Sequence, residues 1–241
     1  MKCRFAGDHR LETLWYPCAI KREEAHEMKK GLTELVFILD RSGSMAGLEA
    51  DTIGGFNAML KKQREAPGEA VVTTVLFDHN VELLHDRISI GGVGPITDKE
   101  YYVGGSTALL DAIGMSIRKI ANAQKHTSED LRAEKVLFVI TTDGMENASR
   151  EYTYDKVKEL VELEQTKYGW EFVFLGANID AISTAARMGI GADRAANYHA
   201  DSMGTQVNYD AVSELVSSVR ANAPVGAVWK ERIDRDYQRK R

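Results

Sequence analysis

Cysteine is nearly absent. The 241-residue chain has two, Cys3 and Cys18, both ahead of the first convincing structural element. The core is therefore not built around disulfides, and this usage points to a reducing compartment. No uninterrupted apolar run is long enough to span a membrane. Positive charge is not in excess either: 31 Lys and Arg stand against 36 Asp and Glu, for a formal net charge of -5, so no global field gathers nucleic acid. The opening residues alternate charge with apolar groups and show no secretory signal. Also missing are the phosphate-gripping Gly-x-x-x-x-Gly-Lys-Ser/Thr loop, a Gly-x-Gly-x-x-Gly after the first strand, and the Gly-x-Ser-x-Gly elbow of serine hydrolases. The expectation is a cytoplasmic protein with neither nucleic acid nor membrane among its partners. Its 44% hydrophobic and 28% charged residues are ordinary for a globular domain, and at this length a single core buries roughly 70–75% of the surface of the unfolded chain.

The chain divides into an N-terminal extension over 1–33, a folded domain over 34–223 and a charged tail over 224–241. The extension shows no periodicity, and Met28, opening MKKGLTELVF, reads as an alternative biological start. The tail segment WKERIDRDYQRKR, from Trp229 to Arg241, reads as a solvated, frayed terminus.

Within the domain, Leu35 to Leu39 is a continuous apolar run ending in Asp40, the pattern of a strand buried on both faces of a parallel sheet. Val71 to Phe77, Val136 to Ile140 and Phe172 to Leu175 repeat it. Val81 to Arg87 follows the turn Asp78-His79-Asn80 and is predicted to fold back antiparallel; a weaker last strand is expected at Ala195 to His199. Helical spacing over Leu109, Leu110, Ile113, Ile117 and Ile120, and over Tyr154, Val157, Leu160, Val161 and Glu164, predicts two amphipathic helices. Others are expected at about 52–65, 180–188 and 206–220, the second opened by Asp180 as its cap. Strands alternating with such helices imply a doubly wound α/β fold: a mostly parallel sheet with one antiparallel edge strand and helices on both faces.

Ligands of open α/β sheets sit at the carboxyl ends of the strands. Three polar segments converge there: Asp40-Arg41-Ser42-Gly43-Ser44, Gly104-Gly105-Ser106-Thr107 and Thr141-Thr142-Asp143-Gly144. In Asp-x-Ser-x-Ser, alternate side chains leave in one direction, so Asp40, Ser42 and Ser44 converge while Arg41 and Gly43 point elsewhere. Two carboxylates and three hydroxyls, with no imidazole or thiolate, form an oxygen-only set suited to a hard cation; neutral hydroxyls favour Mg²⁺ or Mn²⁺ over Ca²⁺. A metal so weakly neutralised stays electrophilic and accepts an incoming carboxylate. Taken singly, Ser42, Ser44 and Thr107 read as helix caps; their conjunction favours the metal. Asn147 reads as a turn residue bonding to backbone, Glu146 as an exposed loop residue, and Gly91 to Pro95 as a flexible loop.

LVFILDRSGSM, YVGGSTALLDAI and FVITTDGMENAS resemble, in order and spacing, the three segments of the metal-ion-dependent adhesion site (MIDAS) of von Willebrand factor type A (vWA) domains, a resemblance covering about residues 33–221. It implies Mg²⁺ or Mn²⁺ at the rim and a non-enzymatic binding role in which an Asp or Glu of a partner protein completes the coordination. It further implies that Ser42 and Ser44 ligate directly, that Asp40 and Asp143 bind directly or through water, and that Thr107 engages or withdraws as the site changes state. Lacking a secretion signal and a cysteine framework, the chain is most similar to the stand-alone intracellular bacterial members. The rival reading is a Mg²⁺-dependent phosphoester hydrolase of the haloacid dehalogenase type, which needs a second aspartate two residues after the first as general acid. Ser42 occupies that position and cannot serve so near neutral pH. The histidines have no visible catalytic pairing and read as surface or loop residues.

Overall fold

A computed structural model describes residues 31–239. Cys3, Cys18, Met28 and most of the expected extension lie outside the described residues. The chain forms β1 (Leu32–Asp40), α1 (Glu49–Glu65), β2 (Glu69–Phe77), β3 (Val81–Ser89), α2 (Leu109–His126), β4 (Lys135–Thr142), α3 (Tyr154–Tyr168), β5 (Glu171–Ala177), α4 (Ala181–Arg187), β6 (Ala195–Tyr198), α5 (Ser202–Arg220) and α6 (Glu231–Arg239). The sheet runs β3-β2-β1-β4-β5-β6. β3 is antiparallel to β2 and every other pairing is parallel.

The central strand explains the layers. All nine residues of β1 are buried, and successive side chains leave opposite faces of the sheet. Leu35, Phe37 and Leu39 pack with Phe56 of α1 and with Val212 and Leu215 of α5. Val36 and Ile38 pack with Ile113 and Ile117 of α2 and with Val157 and Val161 of α3. Each face thus has its own core, and the apolar run of β1 feeds both. Because β1 lies between β2 and β4, the connections run outward from it in opposite directions. A crevice therefore opens at the carboxyl ends of β1 and β4, where Asp40 and Asp143 stand.

α1 and α5 begin three and four residues ahead of the expected positions. Leu48 and Asp201 supply their caps, and only Asp201 does so with a side chain, accepting from the Gly204 amide. Asp180 caps α4 as expected, through Ser183 N–H. The expected frayed tail is corrected: Ala227–Lys230 forms a 3₁₀ turn leading into α6, with Trp229 and Ile233 buried. The Trp229 indole N–H donates to Asp193 O at 2.9 Å, and the Tyr237 ring stacks on His199 at 4.7 Å. The charges of α6 occupy the outer side of a docked helix. Gly91 to Pro95 is likewise held, with the Arg64 guanidinium donating to the carbonyls of Ile90 and Val93. No described helix is long and apolar enough to cross a membrane.

Candidate metal centre

β1 delivers Asp40 to the rim and the chain turns at once. Asp40 Oδ1 accepts the Ser42 amide at 2.7 Å, Oδ2 accepts the Thr142 hydroxyl at 2.5 Å, and the Asp40 main-chain carbonyl accepts the Tyr101 hydroxyl at 2.5 Å. Side chain and backbone are thereby fixed. The following 3₁₀ turn, Gly43–Met45, receives no side-chain cap from Ser42. The Ser42 hydroxyl instead lies 3.0 Å from that of Ser44, and Ser44 Oγ donates to Asp143 Oδ1 at 2.5 Å.

The second segment is tied in through backbone. Gly43 N–H donates to Gly105 O at 3.1 Å and Gly104 N–H to Arg41 O at 2.9 Å. Gly105 holds φ +72°, a left-handed conformation that glycine adopts without strain. Thr107 is pinned through its main chain: its N–H donates to Asn147 Oδ1 at 2.9 Å, and its carbonyl accepts from Asn147 and Ala148. Its hydroxyl and that of Ser44 both lie close to Gly144. A β-carbon at Gly144 would sit 3.0 Å from Ser44 Oγ and 3.4 Å from Thr107 Oγ1. The structure thus gathers Asp40, Ser42, Ser44, Thr107 and Asp143 at one rim. α2 takes no side-chain cap, so neither Ser42 nor Thr107 acts as a helix cap.

The electrostatics are one-sided. Asp40 and Asp143 are each 1% exposed, and among the described residues no salt bridge reaches either. Burial pushes the Asp40 carboxyl up, against the Thr142 and Ser42 hydrogen bonds, and the Asp143 charge adds to the rise. Burial likewise pushes Asp143 up, opposed by Ser44. Arg41 is the nearest cation in sequence and is engaged elsewhere, lying 3.4 Å from Asp78 and 2.8 Å from Glu82 with its guanidinium 4.7 Å from the Tyr102 ring centroid. Asp143 Oδ2 is buried with no hydrogen-bond partner. Two buried, unneutralised carboxylates, an orphaned oxygen and three hydroxyls are a fit for a hard divalent cation. Among the described residues no three His, Cys, Asp or Glu side chains group as a metal site; here hydroxyls supply the remaining donors. Ser44, Met145 and Tyr102 are exposed, so the cluster opens to solvent.

Several supporting residues escaped the sequence reading. Tyr101 and Thr142 hold Asp40. Asp111, in the first turn of α2, accepts the amides of Arg150, Glu151 and Tyr152 at 2.8–2.9 Å. Glu146 is corrected from an exposed loop residue to a loop organiser: it is half-buried and accepts from the amides of Leu110, Ala148 and Ser149 and from the Ser149 hydroxyl. Glu146 left a local signal, an acid two and three residues ahead of amides in the same loop, as acidic side chains in turns often are.

No protein-family model and no curated protein matches the chain. The fold itself is that of von Willebrand factor type A domains. Proximal thread matrix protein 1 from the mussel byssus, in a structure with zinc in its MIDAS motif, superposes with a TM-score of 0.52 at 16% identity, over 78% of this chain and 46% of that one. A von Willebrand factor type A protein from Catenulispora acidiphila gives 0.53 at 13% identity, over 78% and 42%. The vWF domain of the type V pili tip protein Mfa5 from Porphyromonas gingivalis gives 0.53 at 10% identity, over 76% and 94%. The chain spans less than half the length of the first two.

Proposed function

We propose that Asp40, Ser42, Ser44, Thr107 and Asp143 hold a Mg²⁺ or Mn²⁺ ion, and that the ion captures an Asp or Glu side chain of a partner protein without catalysing a reaction on it. The observation carrying this reading is the buried, partnerless Oδ2 of Asp143 beside the solvent-facing Ser44 hydroxyl. A bound cation would satisfy the first and present its open side to a visitor at the second. A hard cation with few charged ligands retains Lewis acidity and keeps water that a carboxylate can replace. The zinc-occupied site of the mussel protein supports divalent metal on this architecture.

Binding rather than hydrolysis is supported by Ser42, which stands where a phosphoester hydrolase would need its general acid. The cysteine-poor sequence supports a cytoplasmic setting.

Calorimetric titration of the native chain with Mg²⁺ and with Mn²⁺, beside Asp40→Ala and Ser42→Ala, tests the metal. Saturable heat in the native chain that both substitutions abolish is the expected result; identical heats in all three proteins would sink the assignment. Partner capture is tested by affinity purification from cell extract with and without chelator, the expected partner being retained only with metal and released by free glutamate or aspartate.

A further inference from the structure

A second cleft lies at the opposite pole of the sheet, where β4 and β5 begin. Its volume is about 480 Å³, within the range of small-molecule sites. Ala121 of α2, Val136 of β4, Leu163 and Tyr168 of α3, and Trp170 form apolar walls. Trp170 is fixed by stacking on Phe138 with centroids 5.6 Å apart and planes 18° apart. Tyr168 is 55% exposed and Leu163 48%, so large apolar surface remains open at this cleft.

One wall residue does not belong in an apolar cleft. Glu164 is 4% exposed, and its Oε2 is buried with no hydrogen-bond partner. A buried acceptor left unmade is a standing cost, and such groups in native structures call for an explanation. Burial pushes this carboxyl up, opposed only in part by the charge of Lys167. Lys125, Arg132 and Lys167 line the same cleft beside Glu134, whose carboxylate accepts the Gly31 amide at 2.7 Å, and the Lys167 ammonium lies 5.0 Å from the Tyr168 ring centroid. The cleft therefore combines a buried acceptor, aromatic walls and a set of cations.

A complementary ligand carries N–H donors on a flat ring and an anionic group outside it. Guanine presents two N–H donors side by side on its Watson–Crick edge, which matches a carboxylate. Adenine places an acceptor nitrogen beside its amino group and would set lone pair against lone pair. A phosphate on the sugar would meet the lysines and Arg132, a pairing that needs no glycine-rich loop because side chains rather than backbone amides receive it. We propose that this cleft binds a guanine nucleotide, with Glu164 accepting from the base edge, Tyr168 and Trp170 flanking the ring, and Lys125, Arg132 and Lys167 taking the phosphate. The site is separate from the metal centre, and its test is independent of that reading.

Titration of the full chain with GMP, AMP and guanosine, followed by calorimetry and by amide chemical shifts, decides it. GMP is expected to saturate with a dissociation constant on the order of tens of micromolar, at least about tenfold tighter than AMP or guanosine. Glu164→Gln should lose about tenfold or more in GMP affinity while keeping the native circular dichroism spectrum. Tyr168→Ala, at an exposed position, should also weaken GMP, and Lys167→Ala should weaken GMP but not guanosine. Absence of saturation up to about 5 mM GMP, AMP binding equal to GMP, or unaltered GMP affinity in Glu164→Gln would each overturn the proposal.

Discussion

The Ser44 hydroxyl donates to Asp143 Oδ1 at 2.5 Å, joining side chains 99 positions apart. The bond crosses the crevice between β1 and β4 and leaves Asp143 Oδ2 without a donor. Asp143→Asn should therefore act in opposite senses with and without metal. In chelator the substitution removes one of two neighbouring buried charges, and the melting temperature should equal or exceed that of the native chain. Mg²⁺ at about 100 times its dissociation constant stabilises the native fold by about 2.7 kcal/mol, or roughly 5–10 °C for a domain of this size. The variant should show no such rise. Parallel metal-induced shifts in both proteins by scanning fluorimetry would remove Asp143 from the site.

Thr107 separates scaffold from ligand. Its amide and carbonyl carry the bonds to Asn147 and Ala148, and these survive Thr107→Ala. Stability should change by less than about 1 kcal/mol, whereas Mg²⁺ affinity should fall about tenfold, equivalent to roughly 1.4 kcal/mol. Chemical denaturation and calorimetry on one preparation read both quantities, and a loss of stability as large as the loss of binding would make Thr107 structural.

Asp111 bears on the third loop from below. Three amides converge on one buried carboxylate, and hydrogen bonds to charged acceptors are worth about 1.5–3 kcal/mol each when they stand alone. Asp111→Ala should cost about 3 kcal/mol in urea denaturation and should raise amide exchange at residues 150–152. Unchanged exchange there would show that the loop is held by Glu146 instead.

These residues mark where the sequence was legible and where it was not. The apolar run of β1 could be read because both faces of that strand are buried, leaving no polar alternation to obscure it. The rim segments were legible because Asp-x-Ser-x-Ser is a local spacing, although the convergence comes from the 3₁₀ turn Gly43–Met45 that follows β1 rather than from strand alternation, since the strand ends at Asp40. Asp111 was not legible: its amides lie 39–41 positions away, and no local pattern encodes a distant amide, whereas Glu146 also takes the amides of Ala148 and Ser149 two and three residues on. α6 was misread for another reason. Its charges dominate the composition, while Trp229, Ile233 and Tyr237, spaced four apart, carry the docking face; that spacing was a readable signal.

His85 gives β3 a pH dependence. It is half-buried, with Nδ1 3.0 Å from Thr74 Oγ1, and burial lowers its pKa below the ordinary 6.5, opposed by the charge of Glu100. The folded state therefore holds the neutral imidazole longer than the unfolded chain does. Stability from this group is present above pH 6.5 and is lost as pH falls through the lower folded value. His85→Gln should flatten the stability curve below pH 6.5, by urea midpoints across pH 5 to 7.5. An unchanged slope would place the acid sensitivity elsewhere.

Two helix glycines should respond to alanine with opposite signs. Gly54 lies in α1, and a β-carbon there meets nothing within 4 Å. The usual helix preference for alanine over glycine, about 1 kcal/mol, should appear as a gain. Gly204 lies in the first turn of α5, where a β-carbon would come 2.2 Å from the His199 carbonyl oxygen, 3.0 Å from its carbonyl carbon and 3.1 Å from its amide nitrogen. Those atoms are all backbone, just after β6, and no side chain can rotate aside to make room. Forcing them apart should cost about 1–3 kcal/mol, more than the propensity gain returns, so Gly204→Ala should lower the urea midpoint while Gly54→Ala raises it. Stabilisation by both would mean that the turn between β6 and α5 yields freely, and that α5 is seated by its apolar face against α1 and the sheet rather than by this close approach.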